Sequence, residues 1–330
     1  MPSRSLRSVA LASALALALA TPAAARAPHA PPSSGTRVTA SKATRGRLLT
    51  VTVRVSDSAR GVTGTLAGEP LHFARAAAAK AAPGAGPTAS GRERRWTAIG
   101  AVPIDAPDTL RLTVVVGAAD TTVVPLPVAA GQYRIERLRV APEFGREPDS
   151  ALAARIDREN AQARALGVAA HDTPRLWRAP FVVPRPGRVT SGFGTARTFN
   201  GAVQSRHMGV DFAGAVGAPV RAANRGVVAL VADFYLAGTA VYVDHGGGLV
   251  SGYFHLSRAD VARGDTVERN EIVGRVGKSG RVTGPHLHWV MRYGGVSVDP
   301  RSAIGLDAAS GFSSAPSPAP RAAPRSPRGG

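Results

Sequence analysis

The residues with the clearest capacity for chemistry are histidines gathered in the last third of the chain. Five of the eight histidines lie between positions 207 and 288, and the chain contains no cysteine. Any metal must therefore be bound by histidine and carboxylate, because thiolate ligands are absent. Four of these histidines stand in three short patterns, which are His207-Met208-Gly209-Val210-Asp211, Tyr253-Phe254-His255-Leu256 and Gly284-Pro285-His286-Leu287-His288-Trp289.

The spacing within these patterns limits how the side chains can meet. In a strand, His286 and His288 face the same side about 7 Å apart, which leaves open whether both bind a metal or one overhangs it. Four residues of straight strand would separate His207 from Asp211 by about 13 Å. Two ligands of one zinc must both lie about 2.0–2.2 Å from the ion, so this segment must bend. Gly209 is the residue best able to supply the bend.

Two imidazoles and one carboxylate form a ligand set that suits zinc, and three protein ligands leave a fourth position for water. That arrangement is typical of a catalytic zinc site. Taken singly, His207 could be a surface histidine, His288 a core residue and Asp211 a turn residue, but their order and flanking residues favour a metal site. A purely structural zinc would need a fourth protein ligand, for which Asp244 or His245 is available.

The start of the chain predicts export. Arg4 and Arg7 precede an uncharged apolar run over 9–20, and small residues follow at 21–25, as in a secretory signal peptide. The apolar run is too short for a membrane span, which needs about 20 residues. We therefore expect a signal peptide over 1–25, no membrane span in the mature protein, and a Pro-, Ala- and Ser-rich disordered leader over 26–35.

Short strands are predicted from residue 36 to residue 141. Alternation of apolar and polar residues, as in Leu110, Leu112 and Val114, predicts a sheet with one buried face and hence a β-sandwich-like accessory domain. The stretch from Ala74 to Arg95 lacks periodicity and is predicted to be an insertion. The predicted strands are Leu48 to Val55, Leu71 to Phe73, Trp96 to Ile99, Thr109 to Val116, Thr122 to Leu126 and Tyr133 to Val140.

A helix and an extended connector are predicted over 142–183. Pro148 and Asp149 mark the start of an amphipathic helix that bridges the two domains, and Gly167 is predicted to stand just past its end. Glycine-punctuated β-branched runs over 184–306 then predict a second, mainly antiparallel sheet. Gly246-Gly247-Gly248 is predicted to form a hairpin turn. Residues 307–330 are rich in Ser, Pro, Ala and Arg and are predicted to be a disordered basic tail.

The motifs resemble those of the M23 peptidases, the lysostaphin and LytM type of peptidoglycan endopeptidase. The resemblance covers roughly 184–300. It includes Ser191-Gly192-Phe193-Gly194, Arg197, Phe199-Asn200-Gly201, His207 to Phe212, Tyr253 to Ser257 and Thr283 to Trp289. The N-terminal β-region and helix also resemble the accessory region of some exported members, although this resemblance is less specific.

The resemblance implies one zinc ion per chain, bound by His207, Asp211 and His288, and no organic cofactor. His255 and His286 match the two active-site histidines that do not bind the metal. The implied activity is hydrolysis of peptide crosslinks in peptidoglycan by a metal-activated water, with these histidines as general acid or base or as oxyanion partners. The alternative is a non-enzymatic LytM-type module that binds the wall or activates an amidase.

The charge of the chain bears on its partners. A net charge of +19, from 41 Lys and Arg against 22 Asp and Glu, favours contact with polyanions. For an exported protein of the periplasm or cell wall, these are anionic envelope polymers as well as the stem or bridge peptides of peptidoglycan. No aromatic interleaving of a basic patch indicates nucleic-acid binding. The absence of a wall-targeting repeat favours the D-alanyl to diaminopimelate crosslink over glycine bridges as the substrate bond.

Overall fold

The computed structural model describes residues 36–56, 61–75, 94–118, 120–144, 147–201, 203–304 and 306. The predicted signal peptide, leader and basic tail lie outside the described residues, as does most of the predicted insertion. No helix in the described part of the chain is long and apolar enough to cross a membrane.

The described residues between 36 and 129 form two facing sheets with one apolar core between them. One sheet has the strand order β1-β3-β7-β6 and the other β2-β9-β8-β4-β5, and every pairing is antiparallel except that of β2 with β9. The inward residues of both sheets, such as Val51 and Val53 of β3 and Leu112 and Val114 of β8, are fully buried in one cluster. This confirms the sandwich-like arrangement. The strands are β1 (Arg37–Ala40), β2 (Ala43–Thr44), β3 (Leu48–Val55), β4 (Val62–Leu66), β5 (Glu69–Pro70), β6 (Ala74–Arg75), β7 (Arg94–Ala101), β8 (Thr109–Val116) and β9 (Asp120–Ala129).

One predicted strand of this region is wrong. Residues 71–73 form a connection between β5 and β6, although Leu71 is buried in the core. The Leu71 N–H donates to Gly64 O, outside any strand ladder. A short apolar run indicates burial, and burial here is reached without strand pairing.

A strand, a 3₁₀ turn and a long helix connect the sandwich to the second sheet. These are β10 (Ile135–Leu138), the 3₁₀ turn Pro142–Phe144 and α1 (Ser150–Ala169). The helix begins as predicted, because the Asp149 side chain accepts a hydrogen bond from Leu152 N and caps the first turn. Its predicted end is wrong.

Gly167 lies inside α1 and not beyond it. A Cβ at this position would lie 2.0 Å from Gly294 O, in the turn between two strands of the second sheet. The glycine is therefore required for close approach of the helix to the sheet, a role that a sequence pattern does not distinguish from a helix stop.

The second sheet has ten strands that pair antiparallel throughout. Its main path has the order β11-β14-β21-β18-β17-β16-β19. Outside this path, β20 pairs with β18 and β15, and β22 pairs with β21. A further small sheet has the order β10-β12-β13, in which β10 is parallel to β12. The elements are β11 (Val189–Ser191), β12 (Ala196–Phe199), β13 (Val203–Arg206), β14 (Val210–Ala213), β15 (Pro219–Arg221), β16 (Gly226–Phe234), β17 (Gly238–Gly246), β18 (Leu249–Ala259), β19 (Thr266–Val267), β20 (Ile272–Val276), β21 (His286–Tyr293), β22 (Val296–Val298) and α2 (Arg301–Ile304).

The glycine run between β17 and β18 forms the predicted hairpin turn. Gly246 pairs with Leu249, and Gly247 and Gly248, the two residues between them, have φ values of +60° and +82°. Positive φ at both central residues is the geometry that matches the twist of paired strands, and glycine adopts it without a steric cost.

The sandwich and the second sheet share apolar contacts. Leu48 and Ile99 of the sandwich belong to the same buried cluster as Trp177 and Phe181 of the segment that follows α1. Leu48 N donates to the Ser302 hydroxyl at 3.1 Å, so a hydrogen bond from backbone to side chain also joins β3 to α2. These contacts fix the segment before β11, and with it the strands that carry the histidine motifs.

Candidate metal centre and adjoining clefts

Two adjacent strands of the second sheet place a carboxylate directly opposite an imidazole. Strands β14 and β21 pair so that Asp211 faces His288 and Ala213 faces His286. On the other side of β21, His288 also pairs with Phe254 of β18. The side chains that the sequence motifs contain therefore come from three neighbouring strands at one point of the sheet.

His207 reaches this point because the chain bends just before β14. Residues 207–209 lie outside the strands, and His207 Nε2 is 2.9 Å from Asp211 Oδ1. Gly209 stands at the bend, as expected, but its φ is not in the left-handed region. A Cβ on Gly209 would lie 2.5 Å from Trp289 O and 2.6 Å from His288 Cε1. Glycine is needed here for the close approach to β21.

The three predicted ligands form a compact triangle. His207 Nε2 is 2.9 Å from His288 Nδ1, and His288 Nδ1 is 2.7 Å from Asp211 Oδ1. These residues are the one group of histidine and acidic side chains, among the described residues, that is close enough to hold a metal ion. A tetrahedral ion with bonds of about 2.0–2.1 Å separates its ligand atoms by roughly 3.3–3.4 Å. Outward shifts of a few tenths of an ångström would give that spacing, so the donor set fits zinc.

The protonation states of the triangle also suit a metal. Burial opposes ionisation of Asp211, but hydrogen bonds from His207 and His288 hold the pKa of its carboxyl well below the usual range. Burial lowers the pKa of His288 to about 4. Both groups are therefore deprotonated at neutral pH, which is the form in which they bind metals.

A second layer of polar contacts fixes the orientation of the triangle. The Arg197 guanidinium donates to Asp211 Oδ2 at 2.6 Å and to Glu136 Oε2 at 3.2 Å. Ser191 Oγ donates to both Glu136 oxygens, at 2.9 and 3.0 Å, and lies 3.3 Å from His207 Nδ1. His207 Nδ1 is also 2.8 Å from Gly192 O. A carbonyl can only accept, so Nδ1 carries a proton, and in the neutral ring that would bind a metal the Nε2 lone pair points toward Asp211 and His288.

Glu136 is the functional candidate that the sequence did not reveal. It lies on β10, which is brought to the site by its parallel pairing with β12 and stands opposite Arg197 in that register. It is far in sequence from every histidine motif, and a single acidic residue on a short strand carries no local signal.

The two remaining motif histidines stand beside the triangle. The ring of His255 lies 4.8 Å from that of His286 and 5.7 Å from that of His288, and His286 Nε2 is 3.7 Å from Asp211 Oδ1. His255 Nδ1 is 2.8 Å from Ser279 O, and His286 Nδ1 is 2.8 Å from Gly284 O. In each ring Nδ1 therefore donates to a carbonyl, and Nε2 of the neutral ring is left as an acceptor.

His255 has two further features that are unusual for a structural residue. Burial is the main cause that lowers its pKa well below the usual range, so it is neutral at physiological pH. Its φ is +59°, a left-handed conformation that side-chain-bearing residues rarely adopt. Such strain is often found at functional sites, where the surrounding structure maintains it.

Two clefts flank the triangle and meet at it. One, of about 250 Å³, runs between α1 and the sheet and includes His207, His288 and Phe254 in its walls. The other, of about 360 Å³, includes Asp211 and His286. The residues that line both clefts are Arg197, Phe199, His255 and Arg281. The arrangement leaves an approach from either side of the metal candidate, as an extended substrate would need.

The other histidines do not reach this site. His245, which the sequence offers as a fourth ligand of a structural zinc, is fully buried on β17 and contacts Arg225 O and Ser251 Oγ, both at 2.8 Å. His72 Nε2 is 2.7 Å from His171 Nδ1. His29 lies outside the described residues. Neither Asp244 nor His245 joins the triangle as a fourth ligand.

Asp211 and His288 on adjacent strands, with His207 at the bend before β14, lie between two open clefts and define a candidate metallohydrolase centre. Residues 205–300 match the model of peptidase family M23. This segment contains the triangle and both flanking histidines, so the similarity to that family covers the whole candidate metal centre.

Two named peptidases are similar to part of this chain. The peptidoglycan DD-endopeptidase ShyC of Vibrio cholerae is 36% identical over 117 residues, which are 35% of this chain and 27% of that protein. The DD-carboxypeptidase/endopeptidase Mpg of Neisseria meningitidis is 42% identical over 96 residues, which are 29% of this chain and 22% of that protein. The chain thus spans about a quarter of the length of these relatives.

A solved structure from Pseudomonas aeruginosa, described as a candidate M23 peptidase, extends the similarity beyond this segment. It superposes with a TM-score of 0.56 at 28% sequence identity, over 81% of this chain and 97% of that one. The sandwich, the helix and the second sheet therefore occur together in another protein.

Proposed function

We propose that this protein is an exported zinc endopeptidase that hydrolyses peptide crosslinks of bacterial peptidoglycan. The observation that carries the proposal is the triangle of His207, Asp211 and His288, with ligand atoms 2.7–2.9 Å apart, inside a peptidase family M23 segment. The names of the relatives supply the substrate class, peptidoglycan, and the kind of bond cut by DD-endopeptidases.

His207, Asp211 and His288 would hold the zinc, one ion per chain. When bound, zinc supplies Lewis acidity toward the scissile carbonyl and lowers the pKa of a coordinated water toward 7. Asp211 is ionised, so its charge offsets part of that of the ion. Arg197 keeps the Asp211 carboxylate in place through Oδ2 and leaves Oδ1 directed at the two histidines.

His286 and His255 would handle the proton. In each neutral ring Nδ1 donates to a backbone carbonyl, so Nε2 can accept a proton from the attacking water and pass it to the leaving amine. His286 Nε2 is already on the ligand side of the site, 3.7 Å from Asp211 Oδ1. The same two rings could instead donate to the developing oxyanion after protonation. Such a group contributes about 10²–10⁴-fold to the rate.

Export is part of the proposal because peptidoglycan lies outside the cytoplasm. It is supported by the charged start, apolar run and small-residue site over 1–25. The strongly positive charge of the chain would favour contact with anionic envelope polymers.

The test is digestion of purified peptidoglycan, with the products identified by mass spectrometry. We expect new free amino and carboxyl ends at peptide crosslinks, lost on chelation, restored by zinc and absent with His207→Ala. His72→Ala is the matched control, because His72 lies outside both clefts, and it should retain activity. Intact peptidoglycan, in a sample that binds zinc and sediments with the wall, would contradict the proposal and favour a non-enzymatic binding or amidase-activating module.

A further inference from the structure

Arg281 stands where the two clefts meet and is not used by the mechanism above. Its guanidinium carbon lies 4.1 Å from the centre of the Phe199 ring, stacked on the ring face. It lines both clefts together with His255. The side chain therefore lies beside the predicted reaction site and lines the approach from either side.

The backbone around Arg281 is fixed before any ligand arrives. Arg281 N donates to Leu236 O at 2.9 Å. Two residues earlier, Ser279 accepts from Thr239 N and donates to Leu256 O. A Cβ on the intervening Gly280 would lie 2.4 Å from Gly238 N, so the loop packs tightly on the turn between β16 and β17. With its backbone held here and its guanidinium stacked on Phe199, Arg281 loses less conformational entropy when it binds an anion.

The acidic side chains of the clefts are already engaged by other groups. Asp211 and Glu136 bind Arg197, and Glu159 binds Arg155 and Tyr235 N. Over the described part of the chain, no carboxylate lies within ion-pair distance of Arg281.

Burial and the nearby Arg197 both act against the charge of this guanidinium and lower its pKa from the usual value. An arginine nevertheless stays protonated at neutral pH. A partly buried cation beside a second cation is a site where a carboxylate from outside would gain most.

We propose that Arg281 binds a carboxylate of the substrate next to the scissile bond, and so selects crosslinks whose amine-side residue carries a free carboxylate. Diaminopimelate has a carboxylate on the carbon that bears the crosslinked amine. A lysine side chain and a glycine bridge have none beside the amine. Arg281 thus favours cleavage of the D-alanyl to diaminopimelate bond over bonds to lysine or glycine. This inference rests on the proposed peptidase function and names its substrate class.

The test uses two synthetic crosslinked peptides and the purified zinc-loaded protein. One peptide contains the D-alanyl to diaminopimelate bond with the adjacent carboxylate free, and in the other this carboxylate is amidated. A charge-assisted hydrogen bond is worth about 1.5–3 kcal/mol, so kcat/KM should favour the free carboxylate about 10- to 100-fold. Arg281→Gln should reduce this ratio to near one by lowering kcat/KM for the carboxylate peptide alone, and Arg281→Lys should keep part of it.

The control is Arg258→Gln, which removes an exposed arginine paired with Asp260 and should leave the ratio unchanged. If the wild type cleaves both peptides equally, the role of Arg281 is refuted and the peptidase function stands. The same holds if Arg281→Gln lowers kcat/KM for both peptides by one factor, since Arg281 then only positions the loop. If the wild type cleaves neither peptide and no peptidoglycan, the peptidase function fails, and the inference fails with it.

Discussion

Glu136 provides the most specific test of how the candidate metal centre is held. Its carboxylate accepts two contacts from Ser191 Oγ, at 2.9 and 3.0 Å, and one from Arg197 at 3.2 Å. Arg197 in turn holds Asp211 at 2.6 Å. Glu136→Gln preserves the shape of the side chain and removes its charge. The amide has only one oxygen, so it cannot accept hydrogen bonds at both terminal atoms as the carboxylate does.

The proposed ligand set makes the direction of the effect clear. Glu136, Asp211 and Arg197 together carry one net negative charge beside the ion, and the substitution reduces that charge to zero. Arg197 also loses one of its two carboxylate partners and is held less firmly against Asp211. Partners of metal ligands typically contribute 10–100-fold to metal affinity. We therefore expect Glu136→Gln to weaken zinc binding by about 10-fold or more, equivalent to at least about 1.4 kcal/mol.

The assay is competition for zinc between the purified protein and a chromophoric chelator, with the melting temperature of the metal-free protein measured in parallel. Glu268→Gln is the matched control, because Glu268 forms an exposed ion pair with Arg225, and its loss should leave zinc affinity unchanged. Unchanged zinc affinity in Glu136→Gln would refute the reasoning. So would a fall in melting temperature with no change in affinity, which would show that Glu136 only stabilises the fold.

Two further predictions concern stability. Burial lowers the pKa of His245 to about 4, below the value near 6.5 of an unfolded chain, so the unfolded state binds a proton first as the pH falls. The contribution of neutral His245 to the free energy of unfolding should thus be fully present above about pH 6.5. It should fall by about 3 kcal/mol as the pH is lowered to 4. His245→Gln should remove this part of the pH dependence in urea unfolding, and identical slopes for both proteins would contradict it. Gly167→Ala should destabilise the protein by about 1–2 kcal/mol, because overpacking against Gly294 O outweighs the gain in helix propensity. Gly61→Ala, where nothing lies within 4 Å, is the control, and equal melting temperatures for the two variants would argue against a rigid contact.

Local patterns predicted the fold well where one face of a strand is buried. The bounds of β3 and β8 agree with the prediction, because apolar and polar residues alternate along both. Residues 71–73 were predicted as a strand because they are apolar, and Leu71 is buried without one. The local pattern predicts a helix stop at Gly167 because the contact that requires this glycine, with Gly294, is 127 positions away and leaves no trace in the local sequence.

The candidate site divides in the same way. The motif histidines and Asp211 were identifiable because their spacing is local, and the structure brings them together, although their roles stay predictions. Glu136 was not identifiable because its position depends on the pairing of β10 with a strand about 60 residues later. His245 is available from the sequence as a fourth ligand, but strand β17 directs it into the core and away from the triangle.

The contacts between the sandwich and the second sheet bear on how the protein could open. Tyr293 donates to Pro70 O, Gly295 N donates to Glu69, and Leu48 packs in the apolar cluster of the second sheet. Swinging the sandwich away as a hinged lid would expose that apolar surface and break all of these bonds at once. Moving β10 alone would break its ladder with β12, the bond from Asn200 N to Leu138 O and the contacts of Glu136. Displacement of β10 alone therefore breaks fewer contacts than rotation of the whole sandwich, and is the less costly way to widen the clefts.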